Sequence, residues 1–224
     1  IRHVPEWYLR RPMDLFNMTG NALQGLIQFG KAIPEARYIH IAVARHRYML
    51  NAKYYADGFW HEGTPAYHKQ ITSRMAGKIA EMLKGYSDPP GYTCEIDLPR
   101  YDDLDLAADY ARQYERVWQA LEALTFPGPR RDYAKIHEAT WPHHAWWDER
   151  VDESRPRLLG SMGHAIIGMG TYPQEAELHI GYSGTHNHEP FDNLGIILWA
   201  HGREVISDTR YRAPAGSVTE RSWH

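Results

Sequence analysis

The stretch THNHEPFDNLGIILWAHGREVISD, residues 185–208, predicts the structure of the second half of the chain. Two short segments within it, 193–199 and 203–207, are rich in β-branched and other apolar residues, and a turn that contains glycine separates them. This pattern is typical of a β-hairpin. Two further segments of the same kind, 165–169 and 176–182, precede it, so we expect an antiparallel sheet in this half of the chain.

Polar side chains flank the predicted hairpin. His186 and His188 are two residues apart, so their side chains point to the same side of an extended backbone. The hairpin would bring the Asp208 carboxylate back near these histidines. Two imidazoles and a carboxylate form a common partial ligand set for zinc, which another histidine or a water would complete. Ordinary surface or loop positions for the histidines stay open as an alternative, as do Glu189 and Asp192 as competing carboxylates.

The first half of the chain is predicted to be helical. Within 13–33, apolar residues recur at 15, 18, 22, 26, 29 and 33, and these steps of three and four place them on one face of a helix. Further helices are predicted over 35–54, around 71–83 and around 114–124, and Pro34 is a start signal for the first of these.

The order of the elements, helices first and strands second, indicates an α+β fold. The boundaries that follow from the sequence are a helical region at 1–127, an irregular linker at 128–157 and a strand region at 158–224. The linker begins where FPGPRRDY interrupts the helical pattern.

Composition excludes several classes of protein. The chain has 224 residues, 43% of them hydrophobic, which is enough for one or two packed cores. Its net charge of -3 offers no basic field for nucleic acid, and no apolar stretch is long enough to span a membrane. The single Cys94 excludes an internal disulfide and a cysteine-based zinc motif. The chain has eight Trp and 15 Tyr, whose rings would either stack on sugars at a binding surface or pack in an ordinary core.

A second group of polar residues lies in YYADGFWHEGTPAYHKQ, residues 54–70, between two predicted helices. A loop at the end of a helical scaffold would expose His61, Glu62 and Tyr67. Tyr67 would serve as a general acid or base if nearby cations lowered its pKa. The alternative is structural: Tyr67 packs with its hydroxyl bonded to backbone, and Glu62 is a carboxylate at a helix start.

Two asparagines, Asn17 and Asn21, lie within or just before the first predicted helix, in LFNMTGN at 15–21. Either amide would cap that helix or donate hydrogen bonds to a substrate carboxylate. The remaining histidines are interpreted as structural or exposed to solvent, and they stand at positions 40, 46, 68, 137, 143, 144, 164, 179 and 201.

Taken together, these motifs resemble those of the heparinase II/III-like polysaccharide lyases, which include related alginate and oligouronide lyases. The segments that carry the resemblance run in order along the chain: DGFWHEGTPAYHKQ, KGYSDPPGY, LLGSMGHAIIGMG, ELHIGYSGTHNH and DNLGIILWAHGREVISDTRY. The resemblance implies an N-terminal (α/α) toroid followed by an antiparallel β-sandwich. This chain would hold the later toroid helices and the first sandwich strands, as an internal segment of a larger enzyme.

The resemblance also implies β-elimination at a uronic acid. Tyr67 would be the acid, and for one substrate epimer also the base, while His186 would remove the proton on the other face. Asn17, or alternatively Asn21, would neutralise the sugar carboxylate. The residues expected to contact substrate are His61, Glu62 and Asn21.

His188 and Asp208 would bind a structural zinc whose third protein ligand lies beyond His224. The family commonly has HGHxD, whereas this chain has HNHEPFD with two extra residues. Which of His186 and His188 is base and which is ligand therefore stays open.

The substrate expected from the resemblance is an acidic polysaccharide or oligosaccharide, such as a glycosaminoglycan or alginate, and the expected location is the bacterial periplasm or outside the cell. A glycan hydrolase on the same scaffold is one alternative. A non-catalytic carbohydrate-binding protein, using the Trp-rich stretch 141–147, is another. Homo-oligomerisation stays open.

Overall fold

The structure is a computed structural model, and it describes residues 3–10, 15–93, 99–128, 132–133, 153–182 and 195–206. Helices fill the first half of the chain and an antiparallel sheet fills the second, which confirms the predicted α+β class. The chain divides into two compact units. One comprises residues 1–54 and 69–118, and the other comprises residues 55–68 and 119–224.

The helices in chain order are α1 (His3–Leu9), α2 (Thr19–Ala32), α3 (Ala36–Ala52), α4 (Pro65–Thr72), a π-helix (Ser73–Ile79), α5 (Ala80–Leu83), α6 (Leu106–Asp109) and α7 (Ala111–Glu122). The sequence pattern predicted α2, α3, the run from α4 to α5, and α7. It did not predict α1 or α6. The predicted start of α2 at residue 13 was too early, because Phe16 to Met18 form a turn before the helix begins.

Helices α2 and α3 pack closely because a glycine lies at their contact. Leu23, Leu26 and Ile27 of α2 are buried, as is Ile39 of α3. A Cβ atom at Gly30 would lie 2.8 Å from Cγ1 of Ile39, so only glycine permits this approach.

The run from α4 to α5 is continuous and winds as a π-helix in its middle. Ile71, Met75, Ile79 and Leu83 are all fully buried and stand four residues apart. In an α-helix each step of four residues turns the side chain by about 40°, so three steps would carry it away from the core. The wider π-winding keeps all four side chains on the buried side.

The strands are β1 (Thr125–Phe126), β2 (Asp132–Tyr133), β3 (Arg157–Leu159), β4 (His164–Met169), β5 (Ala176–Gly181), β6 (Ile196–Ala200) and β7 (Arg203–Ile206). Strands β3 to β7 form a five-stranded antiparallel sheet in sequence order. The predicted hairpin is confirmed as β6 and β7. The pair β1–β2 was not predicted, and β2 lies within the stretch expected to be irregular.

The two faces of the sheet differ in burial. One face contributes Ile166, Ile197 and Trp199 to a core with Phe126, whose ring stacks on Trp199 at 4.4 Å. The opposite face presents an apolar row of four cross-strand neighbours, Ile167, Leu178, Leu198 and Ile206. Ile167 in this row is 59% exposed.

Among the described residues, none of the helices has the length and apolar character that crossing a bilayer requires.

Candidate active site

Residues 55–68, which contain Tyr67, begin with a tight turn. The Tyr55 N–H donates to the Phe59 carbonyl at 2.8 Å, and the Gly58 N–H donates to the Tyr55 carbonyl at 2.9 Å. Gly58 has a φ of 89°, a left-handed conformation that favours glycine. The glycine in the sequence DGF therefore suits the left-handed backbone conformation of this turn.

Asp57 fixes this turn to the sheet of the same unit. One carboxylate oxygen accepts from the Phe59 N–H at 3.2 Å. The other accepts from the N–H groups of Ser161 and Met162, each at 2.8 Å, in the turn between β3 and β4. A single carboxylate thus satisfies three backbone donors and holds the loop in place.

The side chains in the middle of the segment are buried, and they form hydrogen bonds and a ring stack with one another. The Trp60 N–H donates to His68 Nδ1 at 2.9 Å, so the neutral ring of His68 carries its proton on Nε2. The Phe59 ring stacks on the His68 ring with centroids 4.5 Å apart. The Trp60 indole N–H donates to Glu62 at 2.6 Å, and Glu62 is only 3% exposed, so the expectation that this loop exposes Glu62 was wrong.

Glu62 is therefore not the helix-start carboxylate of the structural alternative, because α4 begins three residues later and Glu62 accepts the Trp60 indole N–H. Its role in substrate binding stays a prediction. His61 is partly buried, and its ring lies 4.6 Å from the Trp60 ring.

Tyr67 is the third residue of α4 and is partly exposed. The Tyr67 N–H donates to the Thr64 hydroxyl at 3.3 Å, and the His68 N–H donates to the Thr64 carbonyl at 2.9 Å. Thr64 thereby caps the helix. The phenol stands on a short helix whose first turn is held by this cap.

The two asparagines of the other compact unit have different surroundings. Asn17 lies in the turn before α2 and is buried, whereas Asn21 is exposed and its amide faces the Met18 sulfur at 3.9 Å. Asn17 does not cap α2, because the cap residue is Met18 without a side-chain cap bond, and the Thr19 hydroxyl accepts the Phe16 N–H at 3.1 Å.

The Asn17 side chain instead meets Gln70, and the two amides approach to 2.5 Å. Arg74 completes the group, since its Nη1 donates to the Asn17 backbone carbonyl at 3.4 Å. Partial burial lowers the pKa of Arg74, but a guanidinium stays charged at neutral pH. The amide predicted to neutralise a carboxylate thus lies beside a cation.

A buried polar chain runs through the sheet, and the sequence analysis did not connect its members. Glu177 accepts from Ser154 at 2.9 Å, from Arg157, and from His179 Nε2 at 3.1 Å. His179 Nδ1 in turn faces His164 Nε2 at 3.1 Å. Burial lowers the pKa of His179 despite the Glu177 carboxylate. The signal was the alternation of Glu177 and His179, which places both on one face of β5.

Three of the predicted site residues, His186, His188 and Asp208, lie outside the described residues, as do His143, His144 and the Trp-rich stretch 141–147. The zinc site and the choice of base therefore stay predictions. Within the ranges that the structure describes, no group of three or more His, Cys, Asp or Glu side chains is arranged to hold a metal ion.

Comparison with solved structures shows that the fold is similar to those of heparinase III and heparan sulfate lyase structures. A heparinase III matches over 95% of this chain and 38% of its own, with a TM-score of 0.67 and 14% identity. The heparan sulfate lyase HepC from Pedobacter heparinus matches over 97% of this chain and 37% of its own, with a TM-score of 0.63 and 16% identity. A further heparinase III structure matches over 95% of this chain and 36% of its own, with a TM-score of 0.62 and 18% identity.

No protein-family model matches the sequence, and no curated protein matches it. The chain spans less than two fifths of the length of the solved structures that it matches. At these identities the likeness concerns the fold, and its helices and following strands are compatible with an (α/α) toroid succeeded by sandwich strands. The resemblance expected from the sequence is thereby confirmed: this chain has the fold of heparinase III and heparan sulfate lyase structures.

Proposed function

We propose that this chain carries catalytic groups of a polysaccharide lyase that cleaves a uronic-acid-containing polysaccharide by β-elimination. The observation that supports the proposal is the likeness to heparinase III over 95% of the chain. The likeness supports a polysaccharide lyase fold, while the reaction is inferred from the residues that the chain offers for it.

The reaction makes three chemical demands. A base removes the proton from C5 of the uronate, the electron pair of that bond forms the C4–C5 double bond, and the C4–O bond breaks. The departing glycosidic oxygen then takes a proton from an acid. The C5 proton is weakly acidic, so a donor must also neutralise the neighbouring carboxylate and stabilise the charge that develops there.

The proposal gives each demand a residue. Tyr67 protonates the leaving oxygen, and for one epimer it also removes the C5 proton. His186 removes that proton from the other face. The Asn17 amide donates hydrogen bonds to the uronate carboxylate. His61, Glu62 and Asn21 are kept as candidates for substrate contact, and His188 with Asp208 as candidate zinc ligands.

The local geometry of Tyr67 suits this role. A general acid must be held in one place relative to the bond that breaks. Asp57 ties the preceding turn to backbone donors at 2.8 Å, and Thr64 caps the first turn of the helix. Tyr67 is partly exposed, whereas its neighbours Trp60 and His68 are fully buried.

The test is release of unsaturated uronate, followed by ultraviolet absorbance, with glycosaminoglycans and alginate as substrates. Tyr67→Phe removes the transferable proton without loss of the ring, and we expect it to lower kcat on the order of 100-fold or more. His186→Ala should do the same. Tyr48→Phe is the matched control, because Tyr48 is 57% exposed on α3, and it should keep full activity. Full activity of both Tyr67→Phe and His186→Ala would remove the assignment.

Two other functions give different results in the same assay. A glycan hydrolase on this scaffold would release reducing ends without a new double bond. A non-catalytic carbohydrate-binding protein would retain polysaccharide without turnover, and Tyr67→Phe would leave its binding unchanged. Location in the periplasm or outside the cell stays a prediction.

A further inference from the structure

We infer that His68 is a positioning residue for Tyr67, because its unprotonated Nδ1 anchors the first turn of α4 to the backbone of the preceding loop. This anchor helps to fix the direction in which the Tyr67 side chain leaves the helix. The catalytic meaning of that direction rests on the proposed function. The anchor itself rests on contacts within one compact unit, which contains residues 55–68 and the sheet.

The first step concerns the protonation of the His68 ring. The Trp60 backbone N–H is a donor only, and its nitrogen lies 2.9 Å from Nδ1 of His68. Nδ1 must therefore be an acceptor and carry no proton. A proton on Nδ1 would set two donors against each other, so the anchor exists only while this nitrogen is unprotonated. His68 is fully buried, so solvent does not compete for the bond.

The second step concerns how the ring is held relative to the sheet. The Phe59 ring stacks on the His68 ring, with centroids 4.5 Å apart and 16° between the planes. The Phe59 N–H donates to Asp57, whose other carboxylate oxygen accepts two N–H groups of the turn between β3 and β4. A continuous path of contacts thus runs from this turn to the imidazole of His68.

The third step concerns what the cap of α4 leaves undetermined. Thr64 accepts the N–H groups of Tyr67 and His68, and these bonds fix the winding of the first turn. They run within the helix, so they do not set its rotation about its own axis. A contact with a group outside the helix is needed for that. His68 supplies such contacts, with Trp60 and Phe59.

The rotation matters for the position of the phenol. Successive residues of an α-helix stand about 100° apart, so a fixed His68 gives the neighbouring Tyr67 a fixed direction. A phenol oxygen stands roughly 8 Å from the helix axis, and a rotation of about 10° moves it by more than about 1 Å. A displacement of this size costs on the order of 100-fold in rate. The loss should appear in kcat with KM nearly unchanged, since a general acid acts in the transition state.

The discriminating pair of substitutions is His68→Asn and His68→Gln. Asparagine places its amide oxygen where Nδ1 stands in histidine, so the oxygen accepts the Trp60 N–H. Glutamine is longer by one methylene group and places its amide near the position of Nε2, so the Trp60 N–H loses its acceptor. We expect kcat to fall less than about 10-fold in His68→Asn and on the order of 100-fold in His68→Gln.

A role of His68 in packing alone predicts the opposite order, because glutamine fills more of the space of the ring and is the better helix former. Urea denaturation checks that both variants fold. His3→Gln is the matched control, since His3 is exposed on α1, and it should leave kcat unchanged. A kcat of His68→Gln equal to or above that of His68→Asn would overturn the inference.

A double-mutant cycle tests whether His68 acts through Tyr67. In Tyr67→Phe the transferable proton is gone, so the position of the ring no longer matters for proton transfer. His68→Gln should then lower the residual kcat less than about 3-fold. A further loss as large as that in the unsubstituted protein would show that His68 acts on another group, and this result also would overturn the inference.

A second measurement does not depend on activity. Nitrogen NMR resonances of a histidine ring distinguish an unprotonated nitrogen from one that carries a proton. We expect Nδ1 of His68 to be unprotonated in the folded 224-residue chain. A proton on Nδ1 would overturn the inference whatever the activity. If no uronate polymer yields unsaturated product, the proposed function fails, while the resonance still decides whether the anchor exists.

Discussion

His46 shows how burial controls a single titrating group in the helical part of the chain. Its Nε2 lies 2.8 Å from the Tyr114 hydroxyl, which also lies 3.4 Å from the carbonyl of Met75 in the π-helix. Burial raises the pKa of Tyr114, so the phenol keeps its proton. A consistent arrangement has His46 donating to the Tyr114 oxygen and Tyr114 donating to Met75. Burial also lowers the pKa of His46 to about 4.

This shift predicts a loss of stability in acid. Between about pH 6.5 and about pH 4 the unfolded chain binds a proton at His46 that the folded chain does not. The free energy of unfolding should therefore fall as the pH drops through this window, by about 3 kcal/mol in total, and His46 should contribute no slope above it.

Urea denaturation at a series of pH values measures this slope. His46→Gln should remove it, because an amide does not titrate. His3→Gln is the matched control, since His3 is exposed, and it should keep the slope of the unsubstituted protein. An unchanged slope in His46→Gln would contradict the prediction.

Among site residues, the sequence named Tyr67, Asn17 and Glu62 but could not name the neighbours of Asn17. Gln70 is 53 positions from Asn17, and Arg74 is 57 positions away. Such contacts follow from how helices pack, and no local pattern encodes them. The sequence also gave no reason to expect that Asn17 is buried and Asn21 is exposed, as the structure shows.

At the scale of elements, periodicity predicted the long helices and the strands β4 to β7. It could not predict β1, β2 or β3, because strands of two or three residues are too short to show an alternation. Nor did it identify the π-helix, although the strict four-residue spacing of Ile71, Met75, Ile79 and Leu83 was visible. A regular α-helix would mix steps of three and four.

The three hydrogen bonds that the Asp57 carboxylate accepts give a prediction at the scale of elements. Asp57→Ala leaves three backbone donors without their carboxylate, so the free energy of unfolding should fall by about 2 to 4 kcal/mol. Glu122→Ala, at an exposed position on α7, should change it by less than about 0.5 kcal/mol. Chemical denaturation measures both. Equal stability of the two variants would show that the Asp57 hydrogen bonds do not stabilise the fold.

At the scale of the whole molecule, the sequence predicted the order of helices and strands but not which segments group together. Residues 55–68 belong to the unit that contains the sheet, although they lie between helices in the chain. The bond from Ser161 to Asp57 spans 104 positions and accounts for part of this grouping. Local sequence patterns therefore predict the order of the elements, but they do not predict to which unit this loop belongs.

The apolar row of Ile167, Leu178, Leu198 and Ile206 should make this 224-residue chain bind a hydrophobic dye in its folded state. Ile167→Lys places a charge in the row and should lower the fluorescence of bound anilinonaphthalene sulfonate at least two-fold. Glu122→Lys introduces the same side chain on α7 and should have no effect. Equal fluorescence from the two variants would show that the row is not the binding surface.

The bond between Gln70 and its neighbours carries a genetic consequence. Glutamine and glutamate codons differ only in their first base, so one nucleotide change at codon 70 would replace an amide by a carboxylate of the same shape. Such an allele would place a carboxylate beside the Arg74 guanidinium and the Asn17 amide, so its product should fold as the unsubstituted protein does.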